Sequence, residues 1–333
     1  MNFGFCVPTF AGANDSHPRT PMLERVEVGS LVAAVREVEA LGYDSVWVAD
    51  HLMLGREGGM HEAWSVISAL ALTTRRIRLG TLVLCNTHRS PALTAKMVAT
   101  LDQLSGGRLD LGIGTGWHKS EQESYGFPWQ DDIPTRIAMF EEGLLIMQRL
   151  FSGERVSFDG EFYSLEGAVS QPRPVQQPHP PIWIGASGER VMLRLVAQYA
   201  DAWNIPALPV DEYAHKLDVI RKHCQSVGRD YDSIEKSMET RVMIFDDDSE
   251  MENIAQWFTE FQNSVDHAGD IQPSAETTDE LRSQYILGNL EHCKSRIQQY
   301  VDVGVQHFQI YFIDYPSTDS LETFAREIFP LHR

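Results

Sequence analysis

Residues 77–117, IRLGTLVLCNTHRSPALTAKMVATLDQLSGGRLDLGIGTGW, contain one whole strand–helix–strand unit. Ile77 to Leu84 (IRLGTLVL) reads as a strand. Ser90-Pro91 opens a helix with proline in its first turn, where the missing N–H has no partner to lose, and the helix runs to Leu104. Arg108 to Ile113 (RLDLGI) is the next strand. Strands joined through a helix pair in parallel by a right-handed crossover, so this unit commits the chain to a doubly wound sheet or a closed barrel.

The same plan recurs on both sides. Phe3 to Val7 is a strand, and Gly29 to Leu41 is a helix with Leu31, Val35, Val38 and Leu41 on one face, closed by Gly42. Ser45 to Ala49 (SVWVA) is a buried strand, followed by a polar loop through Gly55, Gly58 and Gly59 and a helix from His61 to Thr73. Later, Ile182–Ile184, Ala202–Asn204, Met238–Ile244 and His307–Phe312, each followed by helical sequence, bring the strands to eight, the barrel number. The expected fold is therefore α/β, a (β/α)8 TIM barrel in one domain over residues 1–333.

Two stretches break the rhythm. Residues 154–181, after the fourth strand, hold Asp159-Gly160 and many prolines and read as an insertion with a small hairpin around that turn. Residues 262–288, between the seventh and eighth strands, are polar, carry Gly269 and Pro273, and read as a lid near a site, since long loops in compact domains are usually functional or disordered.

Composition bounds the partners. With 47 acidic and 28 basic residues the net charge is −19, which argues against nucleic acid or anionic lipid, because phosphate backbones need a surplus of Lys and Arg. A small-molecule substrate is expected, and a local basic pocket remains allowed. Cys6, Cys85, Cys224 and Cys293 are too scattered for a metal knuckle or a disulfide scaffold, so a reducing cytoplasm is expected. No apolar run reaches membrane-spanning length, and Asp50, His51 and His61 lack the HExxH spacing of a zinc site, so no metal is expected.

In a barrel the active site is built from the loops that leave the C-terminal ends of the strands. Asp50-His51 leaves the second, Cys85-Asn86-Thr87-His88 the third, Gly114-Thr115-Gly116-Trp117-His118 the fourth, and Gly185-Ala186-Ser187-Gly188-Glu189 the fifth. The last segment leads into a helix over Glu189 to Gln198, and its small residues leave backbone N–H groups free at a helix N-terminus. It reads equally as an anion cradle or as a tight turn capped by Ser187. Asp50-His51 is either a polar pair touching a cofactor ring or a structural Asp beside a structural His. Gly112-Ile113-Gly114-Thr115-Gly116 lacks the position and the later acid of a dinucleotide fingerprint, but its small residues let a flat ring approach, with Trp117 able to pack beside it.

Taken together, LGYDSVWVADHL, TTRRIRLGTLVL, TLDQLSGGRLDLGIGTGWHKSEQESYGFPW and PRPVQQPHPPIWIGASGERVMLRLVAQYADAWN resemble the bacterial luciferase-like monooxygenase superfamily, in particular its deazaflavin (coenzyme F420)-dependent branch. The resemblance covers nearly the whole chain. It implies a luciferase-like oxidoreductase that transfers a hydride between F420 and a small organic substrate. The alternatives it carries are an FMN-dependent monooxygenase using O2, served by a separate flavin reductase, and a non-catalytic flavin-binding barrel. It implies that Asp50 and His51 lie near the ring as catalytic residues. The Leu82 to Cys85 strand end, with Leu84 and Cys85, forms a bulge behind the ring that in the family often holds a non-prolyl cis peptide. Thr115, Gly116 and Trp117 line the ring, Tyr125 is a further candidate, and Gly185, Ala186, Ser187, Gly188 and Glu189 hold the cofactor phosphate. A homodimer through helices of the first half is implied as well. The glucose-6-phosphate dehydrogenases of the branch carry Trp soon after the Asp-His pair and Glu after GTG, where this chain has Gly55 and Trp117. A sugar phosphate is therefore not the expected substrate.

Overall fold

The computed structural model describes residues 1–13, 17–54, 59–264 and 277–333. Eight parallel strands form the core: β1 (Asn2–Cys6), β2 (Ser45–Val48), β3 (Arg78–Thr81), β4 (Leu109–Gly114), β5 (Ile182–Gly185), β6 (Ala202–Asn204), β7 (Glu235–Ile244) and β8 (His307–Phe312). Each pairs with the next in sequence, β6 joins β7 through Ala202 opposite Glu235, and β8 returns to β1 with His307 opposite Asn2. The ring is thus closed, and the helices between strands cover its outside, the architecture of a (β/α)8 TIM barrel.

Inside the ring, Cys6, Trp47, Leu82, Trp183, Ala202 and Tyr311 form one buried cluster. Below it, at the N-terminal ends of the strands, His307 joins the Ser45 hydroxyl at 2.8 Å and the Glu235 carboxylate at 3.0 Å. Higher up, Asn204, Ser237 and Gln309 hydrogen-bond one another. The lower end is therefore filled with side chains, and the loops beyond the C-terminal strand ends are left to form a site. Two of those loops are stitched together: the His61 amide donates to Thr9 O at 3.0 Å, and Phe10 bridges Met60.

The third strand departs from the continuous run read from its periodicity and breaks where the resemblance placed a bulge. Ile77 to Leu84 is not continuous: β3 stops at Thr81, Leu82–Val83 is a cis peptide, and the chain resumes as Leu84–Cys85, now paired with Ile113 and Gly114 of β4. The cause lies on the neighbouring strand. The Thr81 hydroxyl donates to Gly112 O at 2.7 Å and accepts from Gly112 N at 3.0 Å, replacing ladder bonds, and a Cβ on Gly112 would sit 1.9 Å from Thr81 O. Val83 fills the hollow beside Gly114 and Gly185, where added Cβ atoms would come within 3.2 and 2.9 Å of its methyls.

After the helix Ile133–Phe151, strands Arg155–Asp159 and Ser164–Val169 form an antiparallel hairpin whose turn carries Asp159-Gly160. Of the stretch read as a lid, residues 265–276 lie outside the described residues. Its last part is regular: Thr278–Gln284 is a helix with a Thr277/Glu280 capping box, and Ile286–Gly288 pairs with Val242 to Ile244 of β7. Among the described residues no helix is long and apolar enough to cross a membrane.

Candidate active site at the barrel mouth

Asp50 and His51 come directly after β2, yet the two side chains have different surroundings. Asp50 is fully enclosed. Its carboxylate takes a two-pronged grip from Arg89, at 2.8 and 2.9 Å, and the Cys85 amide at 3.0 Å. Arg89 also reaches Glu62 at 3.0 Å, the residue that caps the helix Ala63–Thr73. Burial would raise the pKa of Asp50, but the charges of His88 and Arg89 and the Arg89 hydrogen bonds outweigh it and hold the carboxyl well below the usual range.

His88 lies between two buried carboxylates. Its Nδ1 is 3.4 Å from Asp50 and its Nε2 3.8 Å from Glu121, ion-pair distances rather than hydrogen bonds, and its ring stacks on Phe127 at 5.4 Å. Burial would lower its pKa, but the interactions with Asp50 and Cys85 prevail and push it up to about 10, so it is an imidazolium at neutral pH.

Glu121 connects this buried cluster to the mouth. One oxygen accepts the amides of Leu52 and Met53, the latter at 2.7 Å; the other lies 3.1 Å from His51 Nδ1. Burial raises its pKa, and His51 with the two amides lowers it further, so the net shift is downward. An ionised carboxylate only accepts, so Nδ1 of His51 carries the proton of that hydrogen bond and Nε2 is the atom left for a ligand. The His51 ring meets Trp117 edge-on at 5.1 Å and keeps 15% of its side chain open. It is the member of the pair that can touch a bound molecule; Asp50 is held too tightly to do so.

The other expected residues divide likewise. Thr115, Gly116 and Trp117 are half-buried beyond β4. Gly116 has φ +80° and leaves no room for a side chain, because a Cβ would lie 2.4 Å from Cys85 Sγ. Cys85 turns its thiol toward this loop, accepting from Gln122 Nε2 at 3.0 Å and meeting Thr87 Oγ1 at 3.1 Å. Leu84 packs into the shell between strands and helices, while Leu82 and Val83 belong to the barrel interior. Tyr125 is 54% exposed on the rim, its hydroxyl 3.4 Å from Leu52 O.

After β5, the expected helix over Glu189 to Gln198 starts later, at Met192, and Ser187 does not cap it. Contacts from the helix Val210–Val227 draw the intervening turn outward. Lys216 Nζ donates to Glu189 at 2.6 Å and to Ser187 O at 3.1 Å, and His223 Nε2 donates to Glu189 O at 2.7 Å. Among the described residues no acceptor takes the amides of Ser187 to Val191. Ser187 and Gly188 are exposed, and Lys216 neutralises Glu189 beside them. This is a preformed cradle for an anion such as a cofactor phosphate.

Sequence reasoning missed Glu121 and Arg89, and it named His88 at the third strand end without a role. Glu121 lies one helical turn before Tyr125, i to i+4, so the flagged tyrosine and the unflagged carboxylate share a face of Lys119–Ser124. That spacing was the available signal.

Fold and site together define a (β/α)8 barrel whose mouth sets an imidazole–carboxylate pair and an anion cradle at the ends of its strands. The chain belongs to the luciferase-like monooxygenase family, whose model matches residues 1–307. It is 31% identical over 307 residues to an F420-dependent glucose-6-phosphate dehydrogenase of Microbacterium testaceum, covering 88% of this chain and 90% of that protein. The enzyme of the same name from Mycobacterium leprae is 31% identical over 336 residues, covering 96% of each. Among solved structures, an F420-dependent secondary alcohol dehydrogenase in complex with an F420-acetone adduct superposes with a TM-score of 0.82 at 20% identity, covering 100% of this chain and 99% of that one, which is a likeness of fold.

Proposed function

We propose that this chain is an oxidoreductase that exchanges a hydride between coenzyme F420 and a small organic substrate at the barrel mouth. The observation that carries the reading is the run of unengaged amides from Ser187 to Val191, set in the same mouth as His51 and Glu121. The names of the relatives at 31% identity support F420 in particular. When bound, F420 supplies a hydride-exchanging carbon that, unlike the flavin nitrogen system, does not activate O2.

On this reading Gly185, Ala186, Ser187, Gly188 and Glu189 form the phosphate site, with the donating backbone N–H groups coming from Ser187 onward, because the Ala186 amide is committed to Asn204 O. Thr115, Gly116 and Trp117 flank the ring, and the Leu82 to Cys85 segment backs it. His51 orients the substrate oxygen and exchanges its proton at Nε2, because Nδ1 is committed to Glu121. Asp50 acts one step removed, by fixing Arg89, His88 and the Cys85 amide. With Trp117 after the GTG segment, the substrate is not glucose-6-phosphate, whatever the relatives' names.

Titration of the purified protein with F420 and with FMN, followed by oxygen-electrode measurements, tests the reading. F420 binding without oxygen uptake is expected. Tight binding of reduced FMN with oxygen uptake would make the chain a monooxygenase that needs a separate flavin reductase. Binding of either without turnover of any substrate would leave a non-catalytic flavin barrel. Ser187→Asp sets a negative charge against the phosphate and weakens F420 binding; unchanged affinity would remove Ser187 from the site.

The protein acts as a homodimer through first-half helices, where Leu72, Leu93 and Leu104 are exposed apolar residues. Sedimentation as a monomer at micromolar concentration would refute this. Four free, buried cysteines suit the reducing cytoplasm in which it works.

A further inference from the structure

On the side of the mouth formed by β1, β7 and β8, a second polar group stands outside the residues assigned above. Along β7, Glu235 meets His307 and Ser237 meets Gln309 inside the barrel, so by the two-residue period Glu239 and Arg241 point inward as well, at successively higher levels. Arg241 lies opposite Tyr311 of β8 near the C-terminal strand ends. Arg19, from the segment after β1, pairs with Glu239 at 3.0 Å and covers the Tyr311 ring at 5.6 Å.

Among the described residues Arg241 has no such partner. Its Nε donates to Pro18 O at 3.1 Å and its guanidinium lies 4.6 Å from the centre of the Tyr285 ring and 5.5 Å from that of Phe258. Among the described residues no carboxylate neutralises it, although the residue is only 9% exposed. Its Nη atoms are neither hydrogen-bonded nor among the sealed, unpartnered atoms, so they face open space. A buried guanidinium without a counter-charge is unfavourable unless something else supplies the negative group. His17, close by, does not share the charge: burial, then Arg19, Arg241 and His51, lower its pKa well below the ordinary value and keep it neutral.

We propose that Arg241, steadied by the Arg19–Glu239 pair, is the receptor for a carboxylate on the substrate, so that the enzyme takes a carboxylate-bearing alcohol or carbonyl compound. This rests on the oxidoreductase reading and names the substrate class for it. The charge count selects the anion. Among the described residues Arg19 and Glu239 cancel and Arg241 remains as one fixed positive charge, which matches a monoanion better than a phosphate dianion. Guanidinium and carboxylate also match as two-pronged partners. In a chain of net charge −19, such a pocket is a local exception suited to recognising a small anion.

Calorimetric titration with benzoate and its neutral isostere benzamide, on wild type and on Arg241→Met and Arg241→Lys, tests this. Wild type is expected to bind benzoate at least tenfold more tightly than benzamide, and Arg241→Met to lose the difference. Arg241→Lys should retain part of it, since it keeps the charge without the planar fork. Equal or absent binding of the two probes by wild type, which involves no variant and no folding question, overturns the proposal, as does a preference that survives in folded Arg241→Met. F420 binding, followed by its fluorescence, is read separately. Loss of that signal with the benzoate preference intact would count against the cofactor reading alone.

Discussion

His51 depends on the carboxylate behind it. Glu121 fixes which nitrogen bears the proton and, through the Leu52 and Met53 amides, ties that choice to the backbone leaving β2. Glu121→Gln keeps the size but loses the charge. It is expected to lower kcat by about a hundredfold, the lower end of what a positioned acid–base group contributes, with F420 affinity near wild type. Equal losses in kcat and F420 binding would instead mark Glu121 as structural. Asp50 predicts the reverse pattern. Asp50→Asn breaks a buried two-pronged pair and leaves Arg89 and His88 without it, so urea unfolding should show a loss of about 3 kcal/mol or more. An Asp50→Asn enzyme as stable as wild type but inactive would return Asp50 to direct chemistry. The sequence made His51 visible as an odd residue at a strand end. Its partner was harder to find, because Glu121 sits 70 positions away and only its i to i+4 spacing to Tyr125 pointed to it.

Among the elements, strands and helices were readable nearly to their ends because apolar periodicity and caps are local signals. Gly42, for example, closes its helix with φ +90° as the C-cap reading required. The two misreadings have distant causes. The periodicity of IRLGTLVL carries no mark of the break that the resemblance implied at Leu82 to Cys85; the Gly112 backbone groups that Thr81 engages lie 31 residues further on. The late start at Met192 follows from Lys216 and His223, on another helix. Both misreadings fall where the proposed cofactor would lie, as expected where local preference yields to a site. Gly112→Ala should be severely destabilising, by about 3 kcal/mol or more or to the point of insolubility, since its Cβ has no place beside Thr81 O. Gly126→Ala, a positive-φ glycine whose Cβ would meet nothing, should cost only about 1 kcal/mol of backbone strain. Comparable thermal shifts for the two would refute the steric account.

For the molecule as a whole, the buried cluster beneath the mouth makes stability depend on pH. His88 keeps its proton up to about pH 10 when folded, against an ordinary 6.5, so its contribution is full below 6.5 and is lost as pH rises through 10. Asp50 is shifted down from 3.8, so its contribution is full above that value and is lost as pH falls. The urea midpoint should therefore decline from pH 7 to pH 10, and His88→Phe, which still stacks on Phe127, should flatten that decline while lowering stability at pH 7. A slope unchanged by the substitution would assign the titration elsewhere. The overall architecture needed only the count of strands and the repeat of strand and helix. The cationic group around Arg241 was invisible, because Arg19, Glu239 and Arg241 come together only when the segment after β1 folds over β7.

The hollow filled by Val83 has a further consequence. One branched side chain fills the gap left by glycines on two adjacent strands, so these positions are not free to drift singly. Trimming Val83 to alanine opens a void that an alanine at 114 or 185 would help to close, whereas with the valine in place an alanine at 185 collides with its methyls and one at 114 presses on them. Across the lineage, residues 83, 114 and 185 should covary as a set. A designer wishing to reshape this wall of the barrel would have to exchange them together.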